Sequence, residues 1–277
     1  MAVVQGPEET SSVPPEQVYG RNEDEVALLK MVKSGANFQV IAVVGMGGIG
    51  KTTIGWVVYN HKQLEDFKFD KKAWKQNDRD NIWKVEYNEW EKLKSPFAVG
   101  APGSRMIVTI RHTDVAQTIR CSHIYQLKLL SEEACKSLFQ EHTFGTGAVV
   151  IPNQISNSIY KRVVERCGGL PLAAKTLGGV LRSNSSDTWA NILECKMWST
   201  SDESDHILPA LKLSYHYLPS NLKRCFGYCI IFPQDYEFVE KELTLLCIAE
   251  GIVQPYDRRL DEAGECFHKL CSRSLFQ

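Results

Sequence analysis

The sequence has almost no net charge: 32 lysines and arginines stand against 33 aspartates and glutamates in 277 residues. Without a global field of either sign, the chain is not steered as a whole to nucleic acid or to an anionic membrane, which argues against a dedicated DNA-binding role. It lacks long apolar runs, and none approaches the roughly 18 residues of a spanning helix. The first residues, MAVVQGPEETSSVPPEQ, have neither the cationic start nor the apolar stretch of a signal peptide. No internal repeat occurs at the periods of about 20 to 50 residues that build solenoids. Cysteine is missing from the first 120 residues, and no Cys-x-x-Cys pair occurs anywhere. The nine cysteines that exist, odd in number and scattered from Cys121 to Cys271, read as reduced thiols of a cytosolic chain. The group Cys225, Cys229, Cys247, Cys266, His268 and Cys271 matches the spacing of no zinc module and reads as small core hydrophobes.

What is present is the composition of an ordinary globular protein, 43% hydrophobic, 10% aromatic and 23% charged. At about 150 residues per domain the length allows more than one compact unit. Residues 1–17, rich in Ser, Pro and Glu, read as a flexible lead-in. In EDEVALLKMV, residues Val26, Leu29 and Val32 recur at helical spacing. FQVIAVVG follows as a β-branched run suited to a buried parallel strand, and RMIVTI (105–110) is a second strand announced by the turn GAPGS. From Ser131 onward the pattern is helical. Ala134, Leu138 and Phe139 share one face, Ile155, Ile159 and Val163 another, and Pro171 opens a new helix after Gly168 and Gly169. Further helices are expected over 189–195, 207–215, 221–229, 240–250 and 261–271, with Leu222/Cys225/Phe226/Cys229 and Leu243/Leu246/Cys247 as core stripes.

One motif carries strong chemistry. Gly45 to Thr52, GMGGIGKT, fits the P-loop pattern of Gly, four residues, then Gly-Lys-Thr. Glycines let the chain wrap a phosphate with its N–H groups turned inward, and the next helix lends its positive end. Lys51 reaches the β/γ oxygens and Thr52 can ligand Mg²⁺. At average residue frequencies such a match arises by chance in roughly 1% of chains of this length. The flanking strand and helix patterns are the setting that the motif requires. Hydrolysis further needs an acidic residue at the end of a neighbouring hydrophobic strand. Between the P-loop and RMIVTI no four apolar residues precede an Asp, and Asp80 follows the polar run Gln76, Asn77, Asp78 and Arg79.

Five ordered motifs, VYGRNEDE, GMGGIGKTT, GSRMIVTIR, CGGLPLAAKTLGG and LKRCFGYCIIFPQDYEF, resemble those of the NB-ARC nucleotide switch of plant intracellular immune receptors. The receptors in question have coiled-coil N-termini and C-terminal leucine-rich repeats, and the likeness covers nearly the whole chain. It implies an α/β P-loop nucleotide-binding subdomain with an incomplete parallel sheet over 18–120, a helical subdomain over 121–204, and a partial winged-helix subdomain over 205–277. Residue by residue it implies that Val18 and Arg21 lie on the adenine side. Gly45, Gly47, Gly48, Ile49, Gly50, Lys51, Thr52 and Thr53 would bind the phosphates, Arg111 would sense the γ-phosphate, and Pro171 would pack on the base. Thr52 and Asp80 would be the Mg²⁺ side. Asp80, Asn81, Ile82 and Trp83 align with the family's Asp-Asp-Val-Trp, and the Trp is typical of the coiled-coil class.

This sequence also departs from the family. Only five residues separate Trp74 from Asp80, where the family has several dozen, and the second Asp is Asn81. On the resemblance the chain reads as a truncated, internally deleted receptor, lacking the Met-His-Asp motif, the repeats and the coiled coil. The gap is expected to remove a strand beside the P-loop strand and to bare an apolar sheet edge. The resemblance implies a cytoplasmic ADP- or ATP-binding switch in defence signalling with damaged Mg²⁺ and hydrolysis apparatus. Its partners would be immune-signalling proteins, including other resistance proteins. An active P-loop ATPase and a non-functional fragment remain the alternatives.

Overall fold

The computed structural model describes residues 17–35, 37–64, 87–98, 103–145, 157–198, 207–233, 236, 238–253 and 260–276. Helix α1 (Asn22–Lys33) opens on Glu23, Asp24 and Glu25 and closes on Lys30 and Lys33, charges that suit the two ends of its dipole. Its buried face is Leu28, Leu29 and Val32, whereas Val26, expected there, is 67% exposed. At 100° per residue Val26 lies roughly a third of a turn from the centre of that stripe.

Strand β1 (Gln39–Val44) is buried from Val40 to Val44. It pairs in parallel with β2 (Arg105–Ile110) on one side and β3 (His123–Gln126) on the other, in the order β2-β1-β3. Ile41 and Val43 face one core, shared with Ile54 and Val58 of α2 (Lys51–Tyr59). Val40, Ala42 and Val44 face a second, closed by Trp90 of α3 (Tyr87–Ala98) and Ala116 of α4 (Thr113–Thr118). Burial on both faces is why β1 reads as a continuous apolar run rather than an alternating one. The Arg105 guanidinium ties the start of β2 to the end of α1, donating to the carbonyls of Val32 at 2.9 Å, Ser34 at 2.6 Å, Gly35 at 2.5 Å and Asn37 at 2.8 Å.

Two findings revise the expected sheet. The strand β3 was not expected, and it carries the sheet to Gln126, past residue 120 and into the stretch assigned to helices. Nor does the P-loop strand lose a neighbour, since β1 is bonded on both sides. Among the described residues β2 and β3 are the edge strands, each paired on one side only. The expectation of a missing strand beside β1 is therefore corrected.

Helix α5 (Glu132–Phe144) starts at Ser131, whose side chain accepts from the Ala134 amide, and it buries Ala134, Leu138 and Phe139. With α6 (Asn157–Cys167), α7 (Pro171–Arg182), α8 (Trp189–Glu194) and α9 (Ile207–His216) it forms a bundle around α7, whose residues Thr176 to Leu181 are all buried. Of the stripe Ile155, Ile159 and Val163, Val163 is buried, and Ile155 lies outside the described residues. A separate core joins α10 (Ser220–Tyr228), α11 (Glu240–Ala249) and α12 (Leu260–Ser272) through Leu218, Leu222, Cys225, Leu243, Cys247, Cys266 and Leu270. Leu246, expected in that core, is 37% exposed. All nine cysteines are free thiols, and among the described residues no three His, Cys, Asp or Glu side chains group so as to hold a metal ion. No described helix is long and apolar enough to cross a membrane.

Candidate functional site

The site lies where β1 and β2 end. Their register pairs Val44 with Ile110, and the Gly45 amide donates to the Ile110 carbonyl at 3.1 Å, so residues 45–50 and Arg111 leave the sheet at the same edge. The C-terminal edge of a parallel sheet is where α/β folds bind ligands. The loop reverses through Gly48 at φ +67° and Gly50 at φ +93°, conformations that glycine adopts without strain. Gly50 caps α2 with no side-chain bond, and no acidic residue stands in the first turn. The amides of that turn are thus not consumed by a cap, and the dipole favours an anion there. Lys51 folds over the loop, its Nζ donating to the Met46 carbonyl at 2.9 Å. The chemistry of this donor set, backbone N–H groups, a helix start and one ammonium, fits phosphate oxygens.

Two distant segments brace the loop from behind. The Leu172 amide, at the start of α7, donates to the Gly48 carbonyl at 3.1 Å, and a Cβ on Gly48 would come within 2.6 Å of Leu172 Cβ. Arg21, 5% exposed, places Nη2 on the Ile49 carbonyl at 2.6 Å. Its Nη1 donates to the Lys128 carbonyl at 2.6 Å and pairs with Asp24 Oδ2 at 3.0 Å. The second oxygen of Asp24 accepts from Tyr125 Oη on β3 at 2.6 Å. Burial, together with the Asp24 carboxylate it bonds, pushes the Tyr125 phenol up to about 12, so it stays a donor at any physiological pH. A further bond, from the Leu130 amide to the Gly169 carbonyl at 2.8 Å, ties the α5 approach to the turn before α7.

The expected site residues fall into three groups. Arg21, Gly45, Gly47, Gly48, Ile49, Gly50, Lys51 and Pro171 come together, and a Cβ on Gly50 would lie 4.0 Å from both Arg21 and Pro171. Within that group Ile49 turns its side chain into the core, leaving its backbone to the loop. Thr52 is exposed, Thr53 and Val18 are half-buried, and Arg111 is exposed just beyond β2. Asp80, with Asn81 and Trp83, lies outside the described residues. Asp24, Tyr125 and Leu172 were not foreseen as site residues. An Asp three positions after an Arg at a helix start is a signal for the first of them, while Tyr125 sits in a four-residue strand too short to register.

The NB-ARC domain model matches residues 22–79 and 79–148, and the winged-helix domain of disease resistance proteins matches 231–277. The break falls at Arg79, inside the stretch that is short against the family. RPP13-like protein 1 of Arabidopsis thaliana is 33% identical over 322 aligned positions, more than this chain's 277 residues, covering 97% of this chain and 30% of the relative. Disease resistance protein RGA2 of Solanum bulbocastanum is 31% identical, over 97% of this chain and 33% of its own length. The chain thus spans about a third of the length of the curated relatives it matches.

Proposed function

The chain belongs to the NB-ARC family of plant disease-resistance proteins, and on that premise we propose that it is an adenine-nucleotide-binding switch of defence signalling, with impaired Mg²⁺-dependent hydrolysis. The observation that carries the reading is the loop over 45–50, reversed at two glycines, ending on an uncapped helix start, and bonded from behind by Arg21 and Leu172. Its amides and Lys51 would hold the phosphates of ADP or ATP. Pro171 and Val18 would border the base, and Arg111, leaving the sheet beside Gly45, would sense a γ-phosphate. Thr52 would offer Mg²⁺ one ligand and Asp80 a second, the ion when bound neutralising phosphate charge. Proteins of immune signalling in the cytoplasm, among them other resistance proteins, are the partners this reading supplies.

The test is to purify the chain, identify any co-purified nucleotide by mass spectrometry and titrate the remainder with ADP. A stoichiometric adenine nucleotide, or saturable ADP binding, is expected. A chain that neither carries nor binds adenine nucleotide overturns the proposal.

A further inference from the structure

Three segments that are far apart in sequence meet behind the loop in an unbroken polar chain: Tyr125 Oη to Asp24, Asp24 to Arg21, and Arg21 to the Ile49 carbonyl. Asp24 is 6% exposed and Arg21 5%, so neither charge is spent on solvent. Tyr125 is fixed by the sheet, where it stands opposite Val43 in the ladder between β1 and β3. We propose that Tyr125 and Asp24 are positioning residues of the nucleotide site, which act by holding the Arg21 guanidinium on the Ile49 carbonyl and so orient the Gly50 N–H.

The physical argument begins with the planar trans peptide, in which a carbonyl and the N–H that follows it point in opposite directions. A loop that binds an anion needs its N–H groups on the concave side and its carbonyls on the other. Arg21 draws the Ile49 carbonyl toward the body of the protein, which turns the Gly50 N–H the opposite way. Since Gly50 at φ +93° has no Cβ to restrict it, that peptide plane is otherwise loosely defined. The guanidinium keeps its place only while its charge is paired, because a buried cation stripped of its carboxylate is strongly disfavoured. Asp24 in turn keeps its rotamer through the short bond from Tyr125. Removing the phenol oxygen alone should therefore loosen a peptide plane three hydrogen bonds away without removing any atom of the site.

This inference rests on the nucleotide reading above, so its test has one arm with nucleotide and one without. Parent, Tyr125→Phe, Asp24→Asn and the double variant are titrated with ADP by calorimetry, and their nucleotide-free thermal midpoints are measured. Tyr125→Phe should weaken ADP about 3- to 10-fold. Asp24→Asn should weaken it about 10-fold or more, and the double variant no further, as expected of residues acting through one path. In the second arm, trypsin cleavage after Lys51 in the nucleotide-free protein should be several-fold faster in Tyr125→Phe, with cleavage after Arg162 in α6 unchanged. Unchanged ADP affinity, additive losses, or equal acceleration at both trypsin sites overturns the inference. Should Asp24→Asn fail to fold, Tyr125→Phe decides. Should the parent not bind ADP, the nucleotide reading falls, and the trypsin arm judges the inference alone: acceleration confined to Lys51 supports it, and none overturns it.

Discussion

The amide of Leu172 is bonded to the carbonyl of Gly48, joining the first turn of α7 to the loop at the end of β1 across more than a hundred residues of chain. At Gly48 the two backbones are so close that a methyl group would meet Leu172 Cβ at 2.6 Å and Cδ2 at 2.8 Å, while φ stands at +67°. Gly48→Ala therefore faces two penalties, a left-handed conformation and a collision, with a combined cost of about 2 to 4 kcal/mol. Thermal denaturation should show the loss. Adding Leu172→Gly, which removes the Cβ as well as the rest of the side chain, should return the steric part and leave the backbone part, so the double variant should be less destabilised than the sum of the two singles.

Lys51 is half-buried over the loop, and its ammonium bonds the Met46 carbonyl. Lys51→Ala should cost about 1.5 to 3 kcal/mol of ADP affinity, roughly 10- to 150-fold, because a charge-assisted contact to phosphate is lost. The thermal midpoint without nucleotide should barely move. Calorimetric titration and a nucleotide-free melt check the two halves, and ADP bound as tightly as by the parent would refute the assignment.

The loop was legible in the sequence because its chemistry is local: GMGGIGKT names its own turn residues, and the β-branched run before it suits a buried strand. The helical stripes of α5 and α10 were legible for the same reason, each being a periodic pattern longer than two turns. Trp90 shows the opposite case. It is buried against β1 from α3, in a stretch otherwise too polar to announce a buried helix face. The strand β3 has only four residues and is half-exposed, so its alternation was lost among the loop residues around it. The polar chain from Tyr125 to Ile49 was invisible because it depends on the order β2-β1-β3, which brings β3 beside β1. No single segment carries that information. Arg105 is a similar instance: a charge at a strand start, it binds four carbonyls at the end of α1 and before β1, partners that its own segment does not name.

His142 gives the helical unit a pH response. Burial first, and then Lys175 and Arg182, holds its imidazole down to about 4, against an ordinary value of 6.5. Between these values the unfolded chain binds a proton that the folded chain refuses, so stability is full above about pH 6.5 and declines as pH falls toward 4. His142→Gln removes the group and should lessen that decline. Melting curves at pH 7, 6, 5 and 4 for parent and variant check it, the difference between them shrinking with acidity. Parallel curves would mean that His142 does not titrate differently in the two states.

Hydrolysis separates a switch from an enzyme. Thr52 is exposed at the start of α2, where it could offer one ligand to a metal beside bound phosphates. Its expected partner, Asp80, follows Gln76, Asn77, Asp78 and Arg79, residues without the apolar run that buries and aims a strand. On the proposed reading Arg111 would still sense a terminal phosphate, because sensing needs one charged contact. Turnover needs a metal and a water positioned together, each within about half an ångström of the productive geometry. Steady-state phosphate release from ATP with Mg²⁺ should therefore stay at background in the parent, in Lys51→Ala and in Asp80→Ala alike, while the parent still binds nucleotide. Robust turnover in the parent that is lost in both variants would mean that Asp80 is in place despite the short segment, and the chain would then be an ATPase.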